Sequence, residues 1–220
     1  NTGNRPVASR NGLLTTVAWQ VKDEVRYALE GSAFIAGAAV QWLRDGLGLI
    51  QNAAEIETLA ATVPDSGGLV FVPALTGLGA PHWKSEARGV IHGITRGTTA
   101  AHLARATLEG IALQIHDLVR AMSEDLGHPL RHLKVDGGAA GNNLLMQLQA
   151  DLLETPVIRP AQLDTTALGA AFLAGLATGF WPGPEALKQS RQEEGHFLPT
   201  MPESTRGELI QRWNRIIQGL

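Results

Sequence analysis

The chain has 220 residues, of which 44% are hydrophobic and 18% charged, and its formal net charge at pH 7 is -3. This composition indicates a folded globular protein, and the absence of a basic block argues against nucleic acid or an anionic membrane as a partner. The chain has no cysteine, which excludes disulfides and thiolate chemistry and is compatible with the cytoplasmic location that we expect, and no apolar run approaches the roughly 18 residues of a membrane span.

The first half of the chain alternates short apolar runs with helical patterns. Two runs rich in β-formers, Leu13–Trp19 and Val25–Leu29, predict a hairpin. The pattern over Gly31–Leu47 predicts a helix with Phe34, Ala38, Trp42 and, as a further candidate, Leu49 on one side. The remaining expected elements are a helix at Ala53–Thr62, strands at Gly68–Pro73 and Gly89–Ile94, and a Gly/Pro-rich loop between these strands.

The second half has the clearest helical periodicity. Apolar residues three and four apart predict a helix over Thr98–Met122, with Thr98 or Thr99 as its N-cap. The further expected elements are strands at Leu133–Val135 and Pro156–Arg159 and helices at Asn142–Leu153, Thr165–Thr178 and Leu209–Ile217. This order predicts an α/β fold with helices on both faces of a mixed sheet.

Several kinds of catalytic site are absent from the sequence. There is no GxxxxGK(S/T) phosphate loop, no GxSxG nucleophile turn and no HExxH zinc motif. The seven histidines are scattered without ligand spacing, so we expect no zinc site. His102 and Asp117 share one long predicted helix, and we interpret both as surface or supporting groups.

Residues 135–143, VDGGAAGNN, form a glycine-rich junction between a predicted strand and a predicted helix. The structural interpretation is a tight turn in which an Asn caps the helix. The functional interpretation is an anion or nucleotide site, because glycine admits a ligand to the backbone and a helix start offers free N–H groups. In that case Gly138 would lie under a nucleotide and Asn142 would donate to it.

Two further stretches have both interpretations. Gly37 and Gln41 are four apart and share a helix face, where an amide beside a bare backbone could bind a base or a ribose; the alternative is a packing glycine beside a solvent-facing Gln. The turn containing Thr95, Gly97 and Thr98 places hydroxyls at a helix start, which ordinary capping explains.

Residues 89–109 resemble the second signature of the FGGY carbohydrate kinases. Gly89, Ile91, Gly93 and Ile94 are followed by seven residues and then by His102-Leu103 and Ala106–Glu109. Other stretches resemble the C-terminal lobe of these kinases in the same order: NGLLTTVAW, YALEGSAFIAGAAVQWLRD, FVPALTGLGAPHW, VDGGAAGNNLLMQLQADLLETPV and TALGAAFLAGLATGFW. The resemblance covers roughly residues 1–182.

The resemblance implies two actin-like (ribonuclease-H-like) lobes with ATP and Mg²⁺ in the cleft between them. The γ-phosphoryl group of ATP would pass to a primary hydroxyl of the acceptor, which we expect to be glycerol. The family's nucleotide contacts in the C-terminal lobe carry over to Gly37, Gln41, Gly138 and Asn142. The catalytic Asp base, the acceptor pocket and the main phosphate loop would precede Asn1, so we expect this lobe to hold no catalytic residue or metal ligand and to be inactive alone. The resemblance also implies a homo-oligomer for the whole enzyme.

The sequence departs from the family pattern in the loop APHWKSEARG, where Lys84 and Glu86 replace residues of the common APYWDPYARG. We expect residues 1–182 to form the nucleotide-binding lobe and residues 183–220 an extension that ends in a helix packed on the same domain. Two alternatives stay open: an FGGY kinase for a pentulose or similar polyol, and a non-catalytic lobe that senses ATP or serves assembly.

Overall fold

A computed structural model of the protein describes residues 1–188 and 192–220, in which seven strands and seven α-helices are formed. The strands are β1 (Leu14–Val21), β2 (Glu24–Glu30), β3 (Val70–Val72), β4 (Val90–His92), β5 (Leu133–Lys134), β6 (Val157–Pro160) and β7 (Glu193–Phe197). The helices are α1 (Gly37–Asp45), α2 (Glu55–Ala60), α3 (Ala100–Leu126), α4 (Asn143–Leu153), α5 (Thr165–Thr178), α6 (Pro184–Lys188) and α7 (Glu203–Gly219). None of the helices in these two described ranges is long and apolar enough to cross a membrane.

The described strands form three small sheets. The hairpin β1–β2 and the pair β3–β4 are antiparallel. The third sheet has the order β5–β6–β7 and is mixed, because β5 and β6 run parallel whereas β7 runs antiparallel to β6. The parallel pair carries β5 into α4 and β6 into α5, and it therefore brings the starts of these two helices to the same edge of the sheet.

The long helix α3 is the centre of the core. It has 27 residues and is buried on more than one side, because α2, α4, α7 and β3 all pack against it. A glycine permits the close approach of β3: a Cβ atom on Gly110 would lie 2.2 Å from the carbonyl oxygen of Phe71 in β3. The absence of a side chain at Gly110 thus lets β3 pack directly against α3.

The C-terminal helix α7 is part of the same core. Trp213 is fully buried, and its Nε1 donates a hydrogen bond of 2.8 Å to Oδ2 of Asp117 in α3. Lys84, one of the residues that depart from the family pattern, donates from Nζ to the carbonyl oxygen of Ile217 at 2.9 Å. The segment before α7 is held by Asp151 in α4, whose Oδ1 accepts from the backbone N–H of Thr200 at 2.6 Å. Three hydrogen bonds, at Thr200, Trp213 and Ile217, therefore connect the C-terminal segment to the rest of the domain.

The predicted helix Gly31–Leu47 is wrong at its start, because α1 begins only at Gly37. The preceding residues run against the Gly/Pro-rich loop, where the carbonyl oxygen of Ser32 accepts from the N–H of Ala80 at 3.0 Å. The core also does not bury the apolar side that we predict. The buried residues of α1 are Ala39, Val40 and Leu43, whereas Phe34 and Ala38 are exposed.

The stretch 182–205 has several Pro, Gly and charged residues, a composition typical of a linker, but it contains α6 and β7. The strand β7 is polar, EEGHF, and it lacks the apolar pattern that identifies a buried strand. Its pairing with β6 supplies the regular structure that its sequence does not predict. Residues 189–191 of the predicted extension lie outside the described residues.

Candidate functional site

The glycine-rich loop, residues 136–142, connects β5 to α4. It passes through a 3-10 turn at Gly138–Gly141, and Asn142 then caps α4. Gly137 has a φ of +78°, a conformation that only glycine adopts without strain. Its N–H donates to the carbonyl oxygen of Leu163 at 2.8 Å. The loop is thus tied to the segment that precedes α5.

Gly138 lies on the exposed side of this loop. A Cβ atom built on it would have no heavy atom within 4 Å, so the protein's own packing does not require a glycine here. The residue lines an open cleft of about 340 Å³ together with Asp136, Gly137, Leu163, Asp164 and Thr166. The missing side chain leaves the backbone accessible from this cleft.

Asn142 has the structural role that the sequence offers as one interpretation. Its Oδ1 accepts from the N–H of Leu145 at 2.8 Å, which makes it the N-cap of α4. Because the cap uses the oxygen, the NH₂ group of the side chain is the donor available to a ligand. The cap and the predicted ligand contact therefore involve different atoms of the same amide, and the contact stays a prediction.

Gly37 is the first residue of α1 and Gln41 lies one turn later, both exposed. A Cβ atom on Gly37 would meet no heavy atom of the described residues within 4 Å, so Gly37 does not pack against another part of this chain, whereas Gln41 faces solvent as the alternative interpretation has it. The first N–H groups of a helix have no acceptor within it, and they carry the positive end of the helix dipole. The four predicted residues thus occupy two exposed helix starts, Gly37 and Gln41 on α1 and Gly138 and Asn142 before α4.

Arg159 was not identified from the sequence, although it contacts the glycine-rich loop. From β6 its Nη1 donates to the carbonyl oxygen of Ala140 at 3.1 Å and to Oδ1 of Asn143 at 2.9 Å. A signal existed in the sequence, since an arginine inside a short and otherwise apolar strand needs buried partners.

The hydroxyls near the start of α3 bind their own turn. Thr98 Oγ1 accepts from the N–H of Thr95 at 2.9 Å, and Thr95 Oγ1 accepts from the N–H of Gly97 at 3.3 Å. His102 Nδ1 accepts from the N–H of Thr99, the N-cap, at 3.2 Å. The interpretation of this segment as ordinary capping is confirmed, and His102 belongs to the cap.

Asp117 is not a surface group, as one of our interpretations had it, because only 7% of it is exposed. Besides Trp213, it contacts His82 Nε2 at 2.8 Å and His116 Nδ1 at 3.3 Å. Burial alone would raise the pKa of Asp117, but these hydrogen bonds outweigh burial and lower that pKa from 3.8 to about 2. The carboxylate joins α3, α7 and the Gly/Pro-rich loop.

Glu109 is a second buried acid on α3, within the stretch that matches the kinase signature. Burial raises its pKa, against the opposing effect of Arg105, whose Nε lies 2.9 Å from Oε1 of Glu109. Neither buried acid lines the cleft beside Gly138. Within residues 1–188 and 192–220, no three His, Asp or Glu side chains cluster in a way that could hold a metal ion.

The chain has relatives among known proteins. Residues 2–178 match the model of the C-terminal domain of the FGGY family of carbohydrate kinases. The chain is 60% identical over 218 residues to a glycerol kinase of Aromatoleum aromaticum, with 99% of the chain and 44% of that protein covered. A glycerol kinase of Myxococcus xanthus is 58% identical over 220 residues, with the same coverage. The chain thus spans less than half the length of these relatives.

Solved structures show the same fold. The crystal structure of Plasmodium falciparum glycerol kinase with ADP matches with a TM-score of 0.89 and 36% identity, over 99% of this chain and 44% of that one. A ligand-bound xylulose kinase from Lactobacillus acidophilus matches with a TM-score of 0.82 and 26% identity, over 99% of this chain and 44% of that one.

Proposed function

Because the chain belongs to the FGGY family of carbohydrate kinases, whose C-terminal domain it matches over residues 2–178, we propose that it is the ATP-binding lobe of a glycerol kinase. The predicted actin-like α/β fold is that of this family. The observation that carries the proposal is the TM-score of 0.89 with a glycerol kinase solved with ADP. We propose further that residues 1–182 form the lobe and residues 183–220 an extension packed on it.

The two exposed helix starts support nucleotide binding. Gly37 and Gly138 present bare backbone to open space, where a Cβ atom would meet nothing in the protein but would obstruct a ligand. The nucleotide would lie against these glycines, with Gln41 and the NH₂ group of Asn142 as hydrogen-bond donors. The N-terminus of α1 would favour a negatively charged ligand through its free N–H groups and its dipole.

Phosphoryl transfer needs more than this lobe offers. It depends on in-line positioning and on charge stabilisation around the γ-phosphoryl group, to which Mg²⁺ bound to ATP contributes by neutralising phosphate oxygens. We propose that Mg²⁺ is carried with the nucleotide, because Mg²⁺ keeps several waters and is usually held by substrate phosphates and only one or two carboxylates. We assign the catalytic base and the acceptor pocket to the remaining half of the enzyme. The lobe alone would bind ATP or ADP weakly and transfer nothing.

An activity assay tests the proposal that this lobe binds ATP but cannot transfer the phosphoryl group alone. The 220-residue chain and the full-length kinase would be assayed for ATP-dependent phosphorylation of glycerol at equal concentration. We expect turnover from the full-length enzyme and none above background from the chain alone. Robust turnover by the chain alone would contradict the proposal. Assays with xylulose in place of glycerol test the alternative of a pentulose kinase, which the structural match to xylulose kinase keeps open.

The placement of the nucleotide can be tested with Gly138→Val in the full-length enzyme. We expect ATP affinity, measured by calorimetry, to fall by about tenfold or more, because the branched side chain fills the space over the backbone. Gly207→Val on α7 is the matched control, since a Cβ atom at Gly207 also meets nothing within 4 Å. Unchanged ATP affinity in Gly138→Val would show that the nucleotide does not lie at this loop.

A further inference from the structure

The side chain of Arg159 connects the glycine-rich loop to β7. Only 12% of the side chain is exposed. On the loop side, Nη1 donates both to the carbonyl oxygen of Ala140, at 3.1 Å, and to Oδ1 of Asn143, at 2.9 Å. A guanidinium can serve two acceptors in a fixed geometry because its N–H groups form a rigid plane.

The opposite side of the guanidinium is held by β7. Its Cζ lies 5.3 Å from the centre of the Phe197 ring, and Nη2 lies 3.7 Å from Oε1 of Glu194. Gly195 leaves space for the side chain, since a Cβ atom there would lie 3.3 Å from Nε of Arg159. The Phe197 ring and the close approach of Gly195 fix the orientation of the guanidinium before any ligand arrives. Glu194 contributes little to this orientation, because 57% of its side chain is exposed and solvent screens the ion pair.

The two loop acceptors enclose the predicted ligand contact Asn142. Ala140 is buried in the middle of the 3-10 turn that starts at Gly138, and Asn143 is the first residue of α4. Holding both acceptors restricts the backbone between them. A loop fixed in its binding conformation loses less entropy when the ligand binds, and its affinity is correspondingly higher.

We infer that Arg159 is a positioning residue for nucleotide binding: it holds the turn Gly138–Gly141 and the start of α4 so that Gly138 and Asn142 face the nucleotide. This inference rests on the proposed function. Arg159 itself need not touch the nucleotide. The loss of its loop contacts would therefore change the affinity for ATP and ADP. It would leave the binding of the phosphoryl-accepting substrate and the rate of the chemical step unaffected.

The test uses the full-length enzyme with Arg159→Lys and Arg159→Met. A lysine offers one ammonium group that cannot reproduce the planar fork, and methionine has no donor. We expect the KM for ATP and the Kd for ADP to rise about tenfold in Arg159→Met and less in Arg159→Lys, while kcat and the KM for glycerol change by less than about twofold. A role limited to fold stability would instead lower Tm without this split between the kinetic constants.

Two partner variants separate the sides of the guanidinium. Asn143→Ala removes one loop acceptor, and we expect it to raise the KM for ATP by a smaller factor that does not multiply with the effect of Arg159→Met. Glu194→Gln is the matched control, because it removes the ion pair with β7 and keeps both loop contacts. We expect it to leave the KM for ATP within about twofold of the parent enzyme.

Three results would overturn the inference. The first is unchanged nucleotide affinity in Arg159→Lys and Arg159→Met, and the second, if Arg159→Met does not fold, is unchanged nucleotide affinity in Asn143→Ala. The third is a rise of the KM for ATP in Glu194→Gln equal to that in Arg159→Met. The first two are separated from a failure of the proposed function by Gly138→Val. If that variant weakens ATP binding while the Arg159 and Asn143 variants do not, only the positioning role is wrong. If none of these variants affects ATP binding, the nucleotide lies elsewhere.

Discussion

Replacing Trp213 by Phe removes one N–H donor from a buried carboxylate and keeps an aromatic ring in the core. The Nε1 of Trp213 donates to Oδ2 of Asp117 at 2.8 Å, and no part of Trp213 is exposed. A hydrogen bond to a charged group contributes about 1.5–3 kcal/mol. The smaller ring leaves a void that costs roughly 1 kcal/mol more. We therefore expect the free energy of unfolding to fall by about 3 kcal/mol.

Trp83→Phe provides the matched control. Trp83 also donates from Nε1, at 2.6 Å, but its acceptor is the neutral carbonyl oxygen of Gly12 and 45% of the residue is exposed. Its loss should cost about 1 kcal/mol or less. Urea unfolding at pH 7, followed by circular dichroism, gives both values if the m-value is unchanged. If Trp213→Phe destabilises the protein by no more than Trp83→Phe, the argument that the buried carboxylate depends on this donor is wrong.

Three further predictions concern acidity, backbone strain and capping. The pKa of Asp117 is lowered from 3.8 to about 2, so its ionised form stabilises the fold by about 2 kcal/mol above pH 4, and this contribution is lost as the pH falls toward 2. The urea midpoint of Asp117→Asn should lack that part of the pH dependence. Parallel curves of urea midpoint against pH for the parent and the variant would contradict this prediction. Gly137→Ala should destabilise by about 1–2 kcal/mol because its φ is +78°, whereas Gly138→Ala should cost less than about 0.5 kcal/mol, and equal thermal shifts would refute the distinction. Asn142→Ser retains a capping oxygen but loses the NH₂ group, so stability should change by less than about 0.5 kcal/mol while ATP affinity in the full-length enzyme falls about 3- to 30-fold; unchanged affinity would exclude the ligand contact.

Most elements were predictable because their signals are local. The Thr165–Thr178 helix was predicted with its observed bounds, and Gly179 ends it in the left-handed conformation. An asparagine cap was one interpretation of the glycine-rich junction, and Oδ1 of Asn142 does cap α4. The membership of the FGGY family, inferred from ordered motifs, is confirmed by the family model over residues 2–178. Local pattern and motif order were sufficient in these cases.

The features that could not be predicted depend on contacts distant in sequence. The residues before Gly37 have a helical pattern, but Ser32 bonds to Ala80 and the helix starts later. Asp117 looks like a surface residue of an amphipathic helix until Trp213 covers it. The apolar strand around Arg159 indicates that the arginine needs buried partners, but the fold decides that these partners are the glycine-rich loop and β7. The predicted roles of Gly37, Gln41, Gly138 and Asn142 in binding ATP stay predictions, although all four lie within about one turn of the start of a helix or 3-10 turn.

The burial of Trp213 has a consequence for the order of synthesis. Helix α7 is translated after every element that it covers. The carboxylate of Asp117 therefore lacks its Trp213 partner, and the surface of Phe71 remains uncovered, until α7 has been synthesised. Until residues 203–219 have left the ribosome, the nascent domain exposes apolar surface beside an ionised acid that lacks its indole partner. A chain interrupted before α7 would therefore expose an incomplete core to chaperones and proteases, even though all of the residues predicted to contact the nucleotide had already been synthesised.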